Sequence, residues 1–145
     1  MTQLSEHLSL EDFIHSDTAI NKKINNTLPD DLLETATYTA LNLFEPIRAL
    51  LGNSPIRISS GYRCVALNLA VRGVETSQHV KAQALDMLPK NITVAEAFEK
   101  VKESNLTWDQ LICEHDVHGN IWLHASIVDG TNRQQVIPNL LKPNN

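Results

Sequence analysis

The sequence is short of cysteine, of positive charge and of long apolar runs, and each shortage excludes something. Two cysteines, Cys64 and Cys113, are too few for a disulfide framework or a cysteine-rich structural zinc site. Both sit in apolar surroundings and read as buried thiols. Twelve lysines and arginines against seventeen aspartates and glutamates give a net charge of −5, which lacks the basic excess of a general nucleic-acid binder. No run of about 18 apolar residues occurs, so no transmembrane helix is expected. The start, MTQLSEHLSLEDF, has no basic stretch followed by an apolar one; a cytoplasmic product without a signal peptide is expected. No internal repeat or low-complexity segment interrupts the chain. What is present, 145 residues with 42% hydrophobic and 20% charged, fits one globular domain around one core.

Along the chain, Ser9 followed by Asp12 resembles a capping box and opens a short helix. His7 and His15 read as surface or packing residues. Apolar residues recur at three and four from Asp30 to Leu51, the strongest helical pattern in the chain, with Pro46 expected to kink it or break it after Glu45. PIRISS reads as a strand, SGYR as a tight turn at Gly61, and CVALNLAV as a short helix ending at Gly73. Thr93 caps a second helix, VAEAFEKVKESN. WDQLICEH and IWLHASIV read as a hairpin around DVHGN. From Asp129 the chain is polar, with a possible edge strand at QQVI and a loose end around Pro138, Pro143 and the terminal asparagines.

The chemistry concentrates in SQHVKAQALD, residues 77–86. Asp86 falls in an apolar alternating run that reads as a buried strand, where a carboxylate needs a strong partner. A divalent cation is the strongest one available. His79 lies seven residues before Asp86, and His124 lies inside the second hairpin strand. Two histidines and one carboxylate suit a zinc ion with an open fourth position. Taken alone, His79 reads better as a loop residue and His124 as a satisfied core residue, with Asp86 capping or pairing locally. A mononuclear iron site uses the same donor types, but its usual His-x-Asp pair is absent.

Four blocks in order, SSGYR, SQH with Asp86 beyond it, DQLICE and WLHAS, resemble the D-alanyl-D-alanine carboxypeptidase family of zinc peptidases. The likeness is greatest to its small phage and bacterial branch and runs from about Leu8 to about Val128. It implies an α+β fold, with a small antiparallel sheet carrying the metal and packed against helices. It implies a single peptidase domain, with a core over residues 8–128 and a polar tail over 129–145. It implies that His79, Asp86 and His124 bind one zinc per chain, and that the substrate is a peptidoglycan stem peptide or cross-link with D-alanine on at least one side, cut by a carboxypeptidase (DD or LD) or an endopeptidase. A monomer that binds neither nucleic acid nor membrane is expected, released to the cell wall by a phage lysis system or carried on a virion. The non-catalytic rival is a zinc-containing wall-binding or virion module of the same fold.

Two positions depart from the family pattern. Ala82 stands where a glycine is usual, and Ile121 stands where many relatives place the glutamate general base. Glu114, at the end of DQLICE, is the expected base. A three-residue turn at His118 to Asn120 would set Glu114 opposite His124; a two-residue turn would set Cys113 there instead. His115, Asp116 and His118 are substitutes from the same hairpin. Arg63, from SGYR, is the expected carboxylate or oxyanion contact, with a structural ion pair as its alternative. Ser77 is the second expected substrate contact. Trp122 is expected to wall the cleft, and Asp109 to brace a ligand histidine.

Overall fold

Strand β4 (Ala84–Pro89) is apolar except at Asp86, and it runs through the middle of the molecule. In the computed structural model, which describes residues 2–142, it pairs with β3 (Ile56–Ser60) on one side and β6 (Ile121–Ser126) on the other. Strands β5 (Gln110–His115) and β7 (Gln135–Leu141) complete a five-stranded sheet of order β3-β4-β6-β5-β7. Every pair is antiparallel except β5 with β7, which is parallel. A separate ribbon of β1 (Gln3–Ser5) and β2 (Leu8–Ser9) opens the chain. The α+β architecture is the expected one, with a small antiparallel ribbon and a larger sheet that is antiparallel except at the β5–β7 edge.

Side chains alternate across a strand, so the sheet has two unlike faces. Leu85, Met87, Leu111, Leu123 and Ala125 point to one face and are fully buried. Against them pack Ala97, Phe98 and Val101 of α6 (Val94–Lys102), together with Ala36, Ala40, Leu43, Phe44 and Ile47 of the long helical run. Asp86, His124, Ile112 and Glu114 alternate with those residues and take the other face.

The helical run survives Pro46 by widening. After a 3₁₀ turn at Asp30–Leu32, α3 (Leu33–Thr39) passes through a π turn at Ala40–Phe44 into α4 (Glu45–Leu50). Proline offers no N–H, and the ladder adjusts just before it: the Glu45 N–H reaches back to the Ala40 carbonyl. The expected kink or break is therefore a π bulge, and the core face stays continuous. The caps are as expected: Ser9 Oγ accepts the Asp12 N–H at 3.1 Å ahead of α1 (Leu10–Ile14), and Thr93 Oγ1 accepts the Glu96 N–H at 3.1 Å ahead of α6.

The chain end differs from the expected loose tail. The edge strand is real but longer than QQVI, and it stays in the sheet to Leu141. The Trp108 indole N–H donates to the Gln135 carbonyl at 3.1 Å, and the Lys142 N–H donates to the His115 carbonyl at 2.7 Å. Pro138 sits where the register slips between Ile112↔Ile137 and Glu114↔Leu140, an edge irregularity where a missing N–H is tolerated. Pro143 and the last asparagines lie outside the described residues. Among the described residues, no helix is long and apolar enough to cross a membrane.

Candidate metal centre and its cleft

The hairpin register decides which side chains meet. The loop is Val117 to Gly119, one residue earlier than expected, closed by the Asp116 N–H on the Asn120 carbonyl at 3.0 Å. Gly119 takes φ of +88°, the left-handed position that a three-residue hairpin gives to glycine. As a result Ile112, not Glu114 or Cys113, lies opposite His124, and Glu114 lies opposite Trp122. Both expected pairings are wrong. The slip from the first is two residues, however, and an even slip preserves the face. Glu114 therefore still shares the face of His124, as its diagonal neighbour, with Oε1 3.8 Å from His124 Nδ1.

Three donors converge beside it. Asp86 lies directly opposite His124 in the β4–β6 pair, and its Oδ1 is 2.9 Å from His124 Nδ1. His79 arrives from the loop before β4 and places Nε2 3.4 Å from the same oxygen. The candidate ligand atoms of His79, Asp86 and His124 all lie within 4.8 Å of one another, and all three residues are buried. In a tetrahedral site with metal bonds of about 2.0–2.1 Å, neighbouring donors stand roughly 3.3 Å apart, close to the separations found here. The donor set and its spacing fit a divalent ion of the zinc type.

The electrostatics agree with that use. Burial by itself would raise the Asp86 pKa, but its close pairing with His79 and its hydrogen bond with His124 hold it well below the usual carboxylate range. Burial pushes His79 down from its ordinary value, towards the neutral imidazole. An ionised carboxylate and a neutral imidazole are the protonation states that bind a metal. His79 Nδ1 meets the Gly61 carbonyl at 2.7 Å, which leaves Nε2 to face Asp86.

Glycine at position 61 is required by space. A Cβ there would come within 2.2 Å of the Phe13 carbonyl oxygen, which already accepts the Tyr62 N–H at 2.8 Å. The SGYR turn is thus pinned by α1, and the pinned carbonyl aims His79. Ala82 occupies the usual glycine position, and its φ of +60° is a left-handed backbone, which favours glycine, at the reversal into β4. Alanine there carries about 1–2 kcal/mol of strain. Against that stand about 0.8 kcal/mol from its fully buried methyl and about 0.5–1 kcal/mol of glycine chain entropy. Ala82→Gly should therefore move stability by less than about 1 kcal/mol in denaturant unfolding; a loss of several kcal/mol would show the methyl to be an essential contact.

Arg63 and Ser77 both line the cleft with the three donors. Arg63 is held by Ser60 Oγ at 2.9 Å, Asn68 Oδ1 at 3.2 Å and Asp86 Oδ2 at 3.4 Å. Its structural ion pair and its place in the cleft coexist. Ser77 Oγ accepts the His79 N–H at 3.2 Å and so shapes the ligand loop. Asp109 does not touch a ligand histidine. Its carboxylate takes the Arg133 guanidinium, at 2.7 Å for the shortest contact, and Gln78 Nε2 at 3.0 Å. Asp116 is occupied by the turn, accepting the His118 and Asn120 N–H groups, and neither Asp116, His115 nor His118 lines the cleft. Ile121 starts β6 on the face opposite His124, so a regular strand gives that position no access to the donors.

Two partners of Glu114 were not foreseen as such. The Trp122 indole N–H donates to Oε1 at 2.7 Å, and Lys142 Nζ stands 3.4 Å from Oε2. Trp122 becomes legible once the hairpin register is known. Lys142 belongs to the supposed tail, and nothing local in the sequence points to it.

A family model described as Peptidase M15 matches residues 6–122. The matched stretch holds Arg63, Ser77, His79, Asp86 and Glu114 and ends two residues before His124, which enters the cluster through its pairing with Asp86. No curated protein matches the chain. With most of its length in the match and its buried histidines and aspartate gathered at one point, the chain belongs to the Peptidase M15 family.

Proposed function

We propose that this chain is a zinc peptidase that hydrolyses peptide bonds in peptidoglycan stem peptides or cross-links, with His79, Asp86 and His124 as the ligands of one zinc ion. The observation that carries the reading is the buried convergence of those three donors with Glu114 beside them in one cleft. A zinc ion held by His79, Asp86 and His124 would supply Lewis acidity to the substrate carbonyl and would lower the pKa of water in the site to about 7. Glu114 is the general base: it takes the proton from water and returns it to the leaving amine. Its carboxylate is 2% exposed and fixed from two sides, by Trp122 and Lys142, so little reorganisation separates its resting and working positions. Arg63 directs a guanidinium at the same cleft, from a position set by Ser60 and Asn68, and stabilises negative charge on the carbonyl oxygen. Ser77 offers a hydroxyl to the substrate backbone.

The rival reading, a zinc-containing module that binds wall without cutting it, draws on Ile121 in place of the usual glutamate. Glu114 on the donor face weighs against it. The test is turnover of purified peptidoglycan fragments before and after exhaustive chelation. Turnover should fall to background and return on adding one equivalent of zinc. Turnover that survives complete metal removal would reject the mechanism, and stoichiometric zinc without any cleavage would favour the binding module. We further place the protein as a monomer that reaches the wall by phage lysis or acts on wall precursors.

A further inference from the structure

The donor face of the sheet holds more room than one metal centre uses. Two hollows lie on it side by side and share Arg63 and Asp86. The first, about 290 Å³, extends over β5 and β7 to Ile137, Leu140 and Lys142. The second, about 490 Å³, extends past Trp122 to Arg57 on β3, and between α2 (Asp17–Lys22) and α5 (Val65–Ala70) to Lys22 and Leu67. Since β3 and β7 are the two edges of the sheet, the two hollows, with Arg63 and Asp86 common to both, together make a trough that reaches from edge to edge. Its far ends carry exposed side chains, Lys22 and Arg57 at one and Arg133 at the other, rather than a wall. The metal cluster lies near its middle. Five strands about 4.8 Å apart span roughly 20 Å, the length of about six extended residues.

The charge of the trough is opposite to that of the chain. Among the described residues, six of the twelve lysines and arginines line it: Lys22, Arg57, Arg63, Arg72, Arg133 and Lys142. Only three of the seventeen acidic residues do so: Asp17, Asp86 and Glu114. Asp109, paired with Arg133, offsets one cation more. A concave surface of this sign on a chain of net charge −5 focuses anionic ligands. Among the lining side chains Trp122 is the one Phe, Tyr or Trp, and the rings of His79 and His124 are buried in the metal cluster, too little to stack successive bases. A polymer of acidic residues fits better than a nucleic acid.

We propose that the trough binds an extended acidic peptide running through it in both directions from the metal cluster, so that the bond cut lies inside the peptide and not at its C-terminal end. The cut rests on the peptidase reading above; the binding mode does not. In the cut, the C–N bond breaks as the acyl carbon gains the hydroxyl of water and the amine gains its proton.

The test is calorimetric titration of the zinc-loaded full chain carrying Glu114→Gln, which prevents turnover. The probes are blocked eight-residue peptides of alternating Glu and Ala or of Gln and Ala, and an oligothymidylate of equal charge. The Glu peptide should bind about tenfold more tightly than the Gln peptide at low salt, and the gap should close at about 0.5 M salt. The paired variant Lys22→Ala with Arg57→Ala, at one end, and Lys142→Ala, at the other, should each weaken the Glu peptide about threefold. Equal affinity for both peptides, tighter binding of the oligothymidylate, or loss from one end only would overturn the proposal. The same peptides given to wild type separate the two readings. Binding as expected, with neither these peptides nor purified peptidoglycan fragments cut, keeps the trough and removes the peptidase. Cleavage without preference for charge does the reverse.

Discussion

Glu114→Gln should lower kcat by about 10²- to 10⁴-fold while the protein keeps one zinc per chain. The glutamine is nearly the same size, so the packing of a side chain that is 2% exposed is preserved. Its carbonyl oxygen can still accept the Trp122 indole N–H that now meets Oε1 at 2.7 Å. What disappears is a basic oxygen able to carry a proton. Because Glu114 stands 3.8 Å from a candidate ligand nitrogen and outside the converging trio, metal retention is part of the expected result. The measurement pairs steady-state kinetics on wall fragments with metal analysis of the same sample. Activity within tenfold of wild type would move the base elsewhere; zinc lost together with activity would make Glu114 a structural support of the centre.

Gly61→Ala should destabilise the fold by about 3 kcal/mol and weaken zinc binding about 10- to 100-fold. The added carbon would sit 2.2 Å from a backbone oxygen of Phe13, and backbone on both sides leaves no flexible group to yield. Relief requires the SGYR turn to move away from α1. That movement breaks the Tyr62 N–H bond to Phe13 and shifts the carbonyl that orients His79. Denaturant unfolding of the metal-free protein reads the first effect, and a competitive zinc chelator reads the second. A variant with wild-type zinc affinity would show that the Gly61 carbonyl does not set the ring.

How much of this could be read from the sequence depends on the range of the interaction. The caps at Ser9 and Thr93 and the buried strand around Asp86 rest on local periodicity and capping, and the structure has them where they were expected. The gathering of His79, Asp86 and His124 came from block order and resemblance, since spacing along the chain does not give a pairing between β4 and β6. The hairpin register was missed because DVHGN admits several turns, and Gly119 selects among them only through its own φ. Glu114 still shares the face of His124, because a slip of an even number of residues preserves the face. The edge strand at QQVI is legible, but its parallel pairing with β5 and its run to Leu141 are not: a parallel partner carries no turn signal, and Pro138 and Asn139 offer weak strand propensity. The place of Lys142 beside Glu114 depends wholly on that strand.

The indole of Trp122 touches the candidate base from within the trough, whereas that of Trp108, the other tryptophan of the chain, is fastened to Gln135 and 4% exposed. The molecule therefore carries its own optical gauge: an emission change on adding a ligand to this protein would originate at Trp122, beside the candidate base, with Trp108 as a steady internal reference.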